Sequence, residues 1–141
     1  MEIFNSPIEF GARILLLLSE MGDSLGLDEL VFFDYAMIHS ADFYDEASVH
    51  PSLPNRLAEL VRRREDIHGA LTLYLSKGLM TSSVNDIGIQ YSLTSKGFAF
   101  AGELSTSYHQ KIKRQANWVF SSRLRLLAEM ELIFRMDRAA N

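Results

Sequence analysis

The chain has 141 residues, 48% of them hydrophobic, a formal net charge of −4 and no cysteine, which suits one domain of ordinary size plus an appended helix and excludes disulfides, thiolate metal sites and cysteine nucleophiles. Its longest apolar run, Ile14 to Leu18, is too short to span a bilayer, and the first residues, Met1 to Pro7, lack the basic start and apolar stretch of a signal peptide, so the expected compartment is the cytoplasm, with no membrane contact. Charge is unevenly spread: residues 1–60 hold eleven Asp/Glu and two Lys/Arg, residues 61–141 seven and twelve, so the basic half is suited to an anionic surface and the acidic half to a different partner, unless both are simply solvated helix faces.

Ser6-Pro7-Ile8-Glu9 predicts a helix start, with Ser6 as cap, Pro7 at the first helical position and Glu9 placed for a capping box. That helix runs to about Met21, is apolar nearly all round at Ile14 to Leu18, and ends at Gly22-Asp23-Ser24. A second helix is predicted from Leu27 to about Asp42, with Leu30, Phe33, Met37, Ile38 and Ala41 on its core stripe. Val31, Phe32 and Tyr35 lie off that stripe and either meet the first helix or form a contact surface. Phe43 to Pro54, with two prolines, reads as a loop that ends near the next helix start.

Two helical pieces follow, Arg56 to Arg63 and Glu65 to Lys77, separated by a basic corner at Arg62-Arg63-Arg64 and closed by Gly78 in a left-handed conformation. Leu79-Met80-Thr81, a polar tip from Ser82 to Asp86, and Ile87 to Leu93 form a hairpin whose return strand alternates Ile87, Ile89, Tyr91 and Leu93 with small or polar residues. Thr94 or Ser95 caps a helix over Phe98 to Leu104. One long last helix is expected from Ser107 to Ala139, with Ile112, Val119, Leu126 and Ile133 seven apart, Ala116 and Met130 joining the seam, and Arg123 interrupting it.

The order of these elements predicts a mainly α fold: a winged helix-turn-helix with an N-terminal helix, a short two-stranded wing and a long C-terminal helix. Residues 1–106 would form the winged-helix domain, and residues 107–141 a helix that packs across it or pairs with a symmetry mate as a homodimer. Leu75-Ser76-Lys77-Gly78-Leu79-Met80 and Tyr91-Ser92-Leu93-Thr94-Ser95-Lys96-Gly97 resemble the end of the recognition helix and the wing of winged-helix proteins. The scaffold serves DNA readers and protein adaptors alike. Here the recognition position opens with Glu65-Asp66, holds Gly69 and has one lysine, Lys77, at its far end, and the wing tip carries Asp86 without a cation. These features oppose sequence-specific DNA reading, since acids repel phosphates.

Two candidate binding clusters stand out. Arg62, Arg63 and Arg64 are either a solvated corner paired with Glu59, Glu65 or Asp66, or a contact for phosphate or an acidic protein through forked guanidinium donors. Lys111, Lys113 and Arg114 lie with Trp118, Arg123 and Arg125 in a stretch, Ser105 to Ala128, that has no acidic residue; Trp118 is an interface anchor or nucleic-acid contact there, or a core residue among solvated cations. His39, His50, His68 and His109 show no metal-ligand spacing. His39-Ser40-Ala41-Asp42 has residue types found in hydrolase triads, but four consecutive residues cannot supply that geometry. There is no phosphate loop, dinucleotide fingerprint or nucleophile elbow. No cofactor and no catalysis are expected.

Phe4-Asn5-Ser6-Pro7-Ile8-Glu9, Leu30 to Asp42 with Asp34-Tyr35 and His39-Ser40, His50-Pro51-Ser52-Leu53-Pro54, Glu59-Leu60-Val61-Arg62-Arg63, Leu75-Ser76-Lys77-Gly78-Leu79 and Tyr108 through Trp118-Val119 together resemble the middle-component family of bacterial ABC-three-component systems. The likeness runs from Phe4 to about Val119. It implies a non-enzymatic adaptor that works beside an SMC-like ABC ATPase and an effector-bearing component, in systems of the Lamassu type directed against phage or plasmids, and that helps couple DNA sensing to effector release, with non-specific DNA contact in the complex. The rival expectation is a transcriptional regulator that binds DNA as a dimer through its last helix.

Overall fold

The computed structural model describes residues 6–39 and 53–140. Helix α1, Pro7–Met21, begins as its sequence dictates: the Ser6 side chain accepts from the Glu9 N–H, Pro7 occupies the first turn, and Gly22 closes the helix at φ 69°. The next four helices among the described residues and the last strand all pack against it. This explains why α1 is apolar nearly all round: Phe10, Ile14, Leu15, Leu17 and Leu18 are at most 1% exposed. Burial of each such side chain contributes about 1.5–3 kcal/mol relative to exposure.

Strand β1, Leu25–Gly26, leads into α2, Leu27–Ile38. Glu29 returns its side chain to the Gly26 N–H at 3.0 Å, completing the start of α2. Val31, Phe32 and Tyr35 are as deeply buried as Leu30, Phe33 and Met37, so the residues off the predicted stripe form core rather than surface. The helix ends at Ile38 with His39 as its cap. Its predicted last turn, with Ala41 and Asp42, and the predicted loop from Phe43, with His50, lie outside the described residues.

One uninterrupted helix, α3, Leu53–Ser76, replaces the two predicted pieces. Nothing from Arg56 to His68 breaks a helix, since the stretch contains neither proline nor glycine. Leu60, Arg63, Ile67, Ala70, Leu71 and Tyr74 recur on the buried side, so the arginine run rides through a continuous helix instead of marking a corner. Gly11 lets α1 and α3 pack closely. The Tyr74 ring lies over it, leaving only 2.1 Å to where a Cβ would sit, and the Tyr74 hydroxyl donates to the Ile8 carbonyl at 2.6 Å.

Gly78, at φ 73°, turns the chain into β2, Met80–Asn85, which pairs with β3, Gly88–Leu93. The first strand runs through Ser82 to Asn85, so the turn is narrower than the predicted polar tip. The Asn85 side chain accepts from the N–H groups of Ile87 and Gly88, which fixes it. The two-stranded wing is also corrected: β1 adds to the far side of β3, giving an antiparallel sheet of order β1-β3-β2. Two residues are too few to show an alternation, which is why β1 escaped prediction.

Thr94 caps α4, Ser95–Glu103, through the Gly97 N–H. The expected long last helix is two helices, α5, Ser107–Ser121, and α6, Arg123–Ala140, separated at Ser122. The Ser122 N–H still reaches the carbonyls of Trp118 and Val119, and its own carbonyl accepts from Leu126, so a single residue changes course while the seam continues. Ile112, Ala116, Val119, Leu126 and Ile133 are buried in the same core as α1 and α2, with Met130 packed at its margin.

Candidate partner interface

The arginine run faces three ways. Arg63 turns inward, 5% exposed, and its guanidinium donates to Asp34 and, at 3.1 Å, to Glu59. Arg64 is half exposed and pairs with Asp28 of α2 at 2.8 Å. Arg62 is exposed and has no ion-pair partner among the described residues. The three do not form one patch. Of the acids considered for them from the sequence, Glu59 is engaged, while Asp28 and Asp34 of α2 were not anticipated.

Behind Arg63 lies an ionic cluster. Arg13 and Asp34 are both fully buried, and Arg13 donates to the two carboxylate oxygens of Asp34 at 2.7 and 3.1 Å. Desolvation works against the Arg13 charge, but the charge and hydrogen bonds of Asp34 outweigh it and hold its pKa above the ordinary arginine value. Burial likewise pushes the Glu59 carboxyl up, and hydrogen bonds from His39 and Arg63 more than offset this, so it titrates below its ordinary value. His39 Nε2 lies 2.8 Å from Glu59 Oε1, with the ring centroid 4.7 Å from that of Tyr35 and tilted 35° to it. Its role is to close α2 against α3; Ser40 and Asp42 of the triad-like run lie outside the described residues. The sequence did offer a signal for Arg13: a lone cation on a helix apolar all round must find a buried anion.

The second predicted cluster is mostly on the surface, but Trp118 packs against the core. Lys111, Arg114, Arg123 and Arg125 are exposed, while Lys113 and Trp118 are half buried. Lys111, Arg114 and Trp118, three and four residues apart, share one side of α5. The Arg125 guanidinium lies 5.9 Å from the Trp118 ring, and Arg123 lies 4.3 Å over Phe120. The stretch is free of acids only along the chain, because Glu20 of α1 reaches in to accept from Asn117 at 2.7 Å.

The outward side of α3 carries Val61, Arg62, Glu65, His68, Gly69, Thr72 and Ser76, mixed in charge with a single exposed apolar side chain. The hairpin differs in kind. Cross-strand pairs share a face, so Met80 and Leu93, Ser82 and Tyr91, and Val84 and Ile89 line one side. Met80 and Leu93 enter the core, whereas Val84, Ile89 and Ile87 are 80%, 52% and 87% exposed. An apolar face thus leaves the core and overhangs into solvent.

Among the described residues no helix is long and apolar enough to cross a membrane, and no cluster of three metal-ligating side chains forms. The model of one protein family, ABC-three component (ABC-3C) system Middle Component 2, matches residues 3–141. No curated protein and no solved structure matches the chain.

Proposed function

The chain belongs to the Middle Component 2 family of ABC-three-component systems, and from that premise we propose that it is a non-catalytic adaptor, a winged-helix subunit that docks on an SMC-like ABC ATPase and an effector in a cytoplasmic anti-phage or anti-plasmid complex. The observation that carries this reading is the family match over residues 3–141, since a middle component acts in association with the other components of its system. The winged-helix assignment is supported by the order α1, β1, α2, α3, β2, β3 with β1 paired to β3. The adaptor role is supported by the surfaces. Where a winged-helix DNA reader presents an unbroken set of cations to phosphates, this chain mixes Arg62 and Arg64 with Glu65, Thr72 and Ser76 on α3 and presents Val84, Ile87 and Ile89 on the wing.

Within that reading residues 1–106 are the docking body. Residues 107–141 brace it and offer Lys111, Arg114 and Trp118 to DNA backbone or to an acidic partner, with Lys113 lending charge from a half-buried position. Of the arginine run, Arg62 and Arg64 are the residues able to reach a partner, and Arg63 holds the helix in place. The test is co-expression of the tagged chain with its genomic neighbours. Stable co-purification with a large ATPase in the absence of DNA supports the adaptor, and loss of it in Lys111→Glu/Arg114→Glu places a contact on α5. A chain that emerges alone as a dimer retaining one short duplex, with marked salt dependence, establishes the regulator instead.

A further inference from the structure

The hairpin shows two unmet requirements at the same residues. The Thr94 N–H donates to the Leu79 carbonyl at 3.2 Å, which fixes the phase of the ladder: Leu79, Thr81 and Ser83 bond to β3, and the intervening Ser82 and Val84 direct their N–H and carbonyl groups away from it. On the other side of β3 the same alternation is used, because Tyr91 is paired with Leu25 of β1. Nothing answers it on β2, the edge of the sheet, where Ser82 and Val84 have no backbone partner among the described residues.

An exposed edge is normally blunted by lysine, proline, a bulge or a covering element. Met80-Thr81-Ser82-Ser83-Val84-Asn85 contains no charge and no proline, and its register with β3 runs without a bulge. Val84 therefore presents both an open backbone edge and an apolar side chain, next to Ile89 and close to Ile87. A helix laid on the face would cover the side chains and leave the edge groups unpaired. An added strand meets both needs, with one side chain in two extending the apolar face beside Val84 and the others pointing to the polar face of Thr81 and Ser83.

We infer that β2 is a docking edge, and that an extended segment of a partner component adds to it as a fourth strand. The inference rests on the adaptor reading and names the surface and the kind of segment. The segment alternates apolar and uncharged polar residues across the edge. Charge fixes its ends: Lys77 and Lys96 are exposed at the hairpin base, with the Lys96 ammonium donating to the Lys77 carbonyl at 3.1 Å, and Asp86 is exposed at the tip. A carboxylate belongs at the base end of the segment and a cation at its tip end.

The experiment is amide hydrogen exchange, resolved residue by residue, on the full chain alone and in the complex co-purified with its ATPase and effector neighbours. In the complex the Ser82 and Val84 amides should slow by about tenfold or more, while Thr81 and Ser83 are already slow in the free chain. In parallel, Ser82→Pro and Val84→Pro each delete an N–H that β3 does not use. Both variants should keep the free chain's melting temperature and lose the complex; if either unfolds, the alternation in exchange decides alone. Unchanged exchange at Ser82 and Val84 on complex formation overturns the inference while the adaptor reading stands, as does wild-type assembly by folded proline variants. The same protection in the isolated chain with a doubled mass overturns it in favour of a second copy. Failure of the chain to join any complex overturns both.

Discussion

The ionic cluster behind α3 and the outer half of the hairpin invert the usual distribution of polarity in opposite directions. One buries Arg13, Asp34 and Arg63; the other exposes Val84, Ile87 and Ile89. The difference lies in whether the chain answers its own demand. Asp34 engages both guanidiniums and Glu59 takes a further bond from Arg63, so the buried charges are paired within the fold, from residues 13, 34, 59 and 63, with Arg63 Nε alone of these guanidinium donors left without a hydrogen-bond partner among the described residues. The apolar end of the hairpin has no such answer among the described residues. Unusual polarity that is satisfied internally is architecture, and unusual polarity left open is an invitation to a partner.

The sharpest way to break that contrast is to remove the shared anion. Asp34→Ala leaves two guanidiniums in the core and should destabilise the chain by about 3–5 kcal/mol, read from urea unfolding. Replacing the whole set, Arg13→Met/Asp34→Leu/Arg63→Met, removes the charges together and should restore wild-type stability or exceed it by about 1–4 kcal/mol. A cost for Asp34→Ala below about 1 kcal/mol would mean that water reaches the cluster and that the matching is not internal.

A steric change where α1 packs on the far part of α3 comes next. Gly11→Ala places a methyl group 2.1 Å from the Tyr74 ring and should cost about 1–3 kcal/mol by thermal or urea unfolding, because the ring must leave both its seat and the Ile8 carbonyl. Adding Tyr74→Ala opens space for that methyl group. Against a Tyr74→Ala background the extra cost of Gly11→Ala should therefore shrink towards its small helix-propensity gain.

How far these features were legible in the sequence follows from the range of the forces involved. Local chemistry was readable: the Ser6, Gly22, Gly78 and Thr94 ends of helices, and the seam of Ile112, Val119, Leu126 and Ile133, are set by residues within a few turns of one another. Arg63 was misread because three adjacent arginines suggest solvent, yet helical spacing puts the middle one on the side of Leu60 and Ile67. Asp34 lies 29 positions from Arg63 and 21 from Arg13, a distance at which no local pattern announces a pair. The break at Ser122 was foreshadowed by Arg123 at a seam position between Ala116 and Met130, but one residue of altered course leaves the seven-residue spacing intact. Of the binding residues expected, Lys111, Arg114 and Trp118 share one side of a helix as the spacing implies, whereas Arg62, Arg63 and Arg64 separate because consecutive helical residues point about 100° apart.

Acid pH probes the rim of the cluster with a smaller effect. Burial opposes the Glu59 charge, and His39 and Arg63 bonds overcome that opposition, so its folded pKa lies below the ordinary 4.5. Its contribution is complete above that ordinary value and is lost as pH falls through the lower, folded one. Melting temperatures of wild type and Glu59→Gln should differ at neutral pH and converge as the pH drops below 4.5. A gap that persists at acid pH would mean that Glu59 acts by packing rather than by charge.

The least expected change in stability falls on the other side of the comparison. Val84→Ser/Ile87→Ser/Ile89→Ser replaces side chains that are at least half exposed, so the free chain should melt within about 0.5 kcal/mol of wild type per substitution, since they contact little of the core. In the assembled system the same triple variant should weaken capture of the partner markedly, because the face it removes is the one that overhangs the fold. A free chain strongly destabilised by the three serines would show that the hairpin end is tied to its own body, and the contrast with the buried cluster would disappear. Retained folding with lost assembly would locate the unmet demand at the hairpin, in the same three side chains that make it anomalous for a monomer.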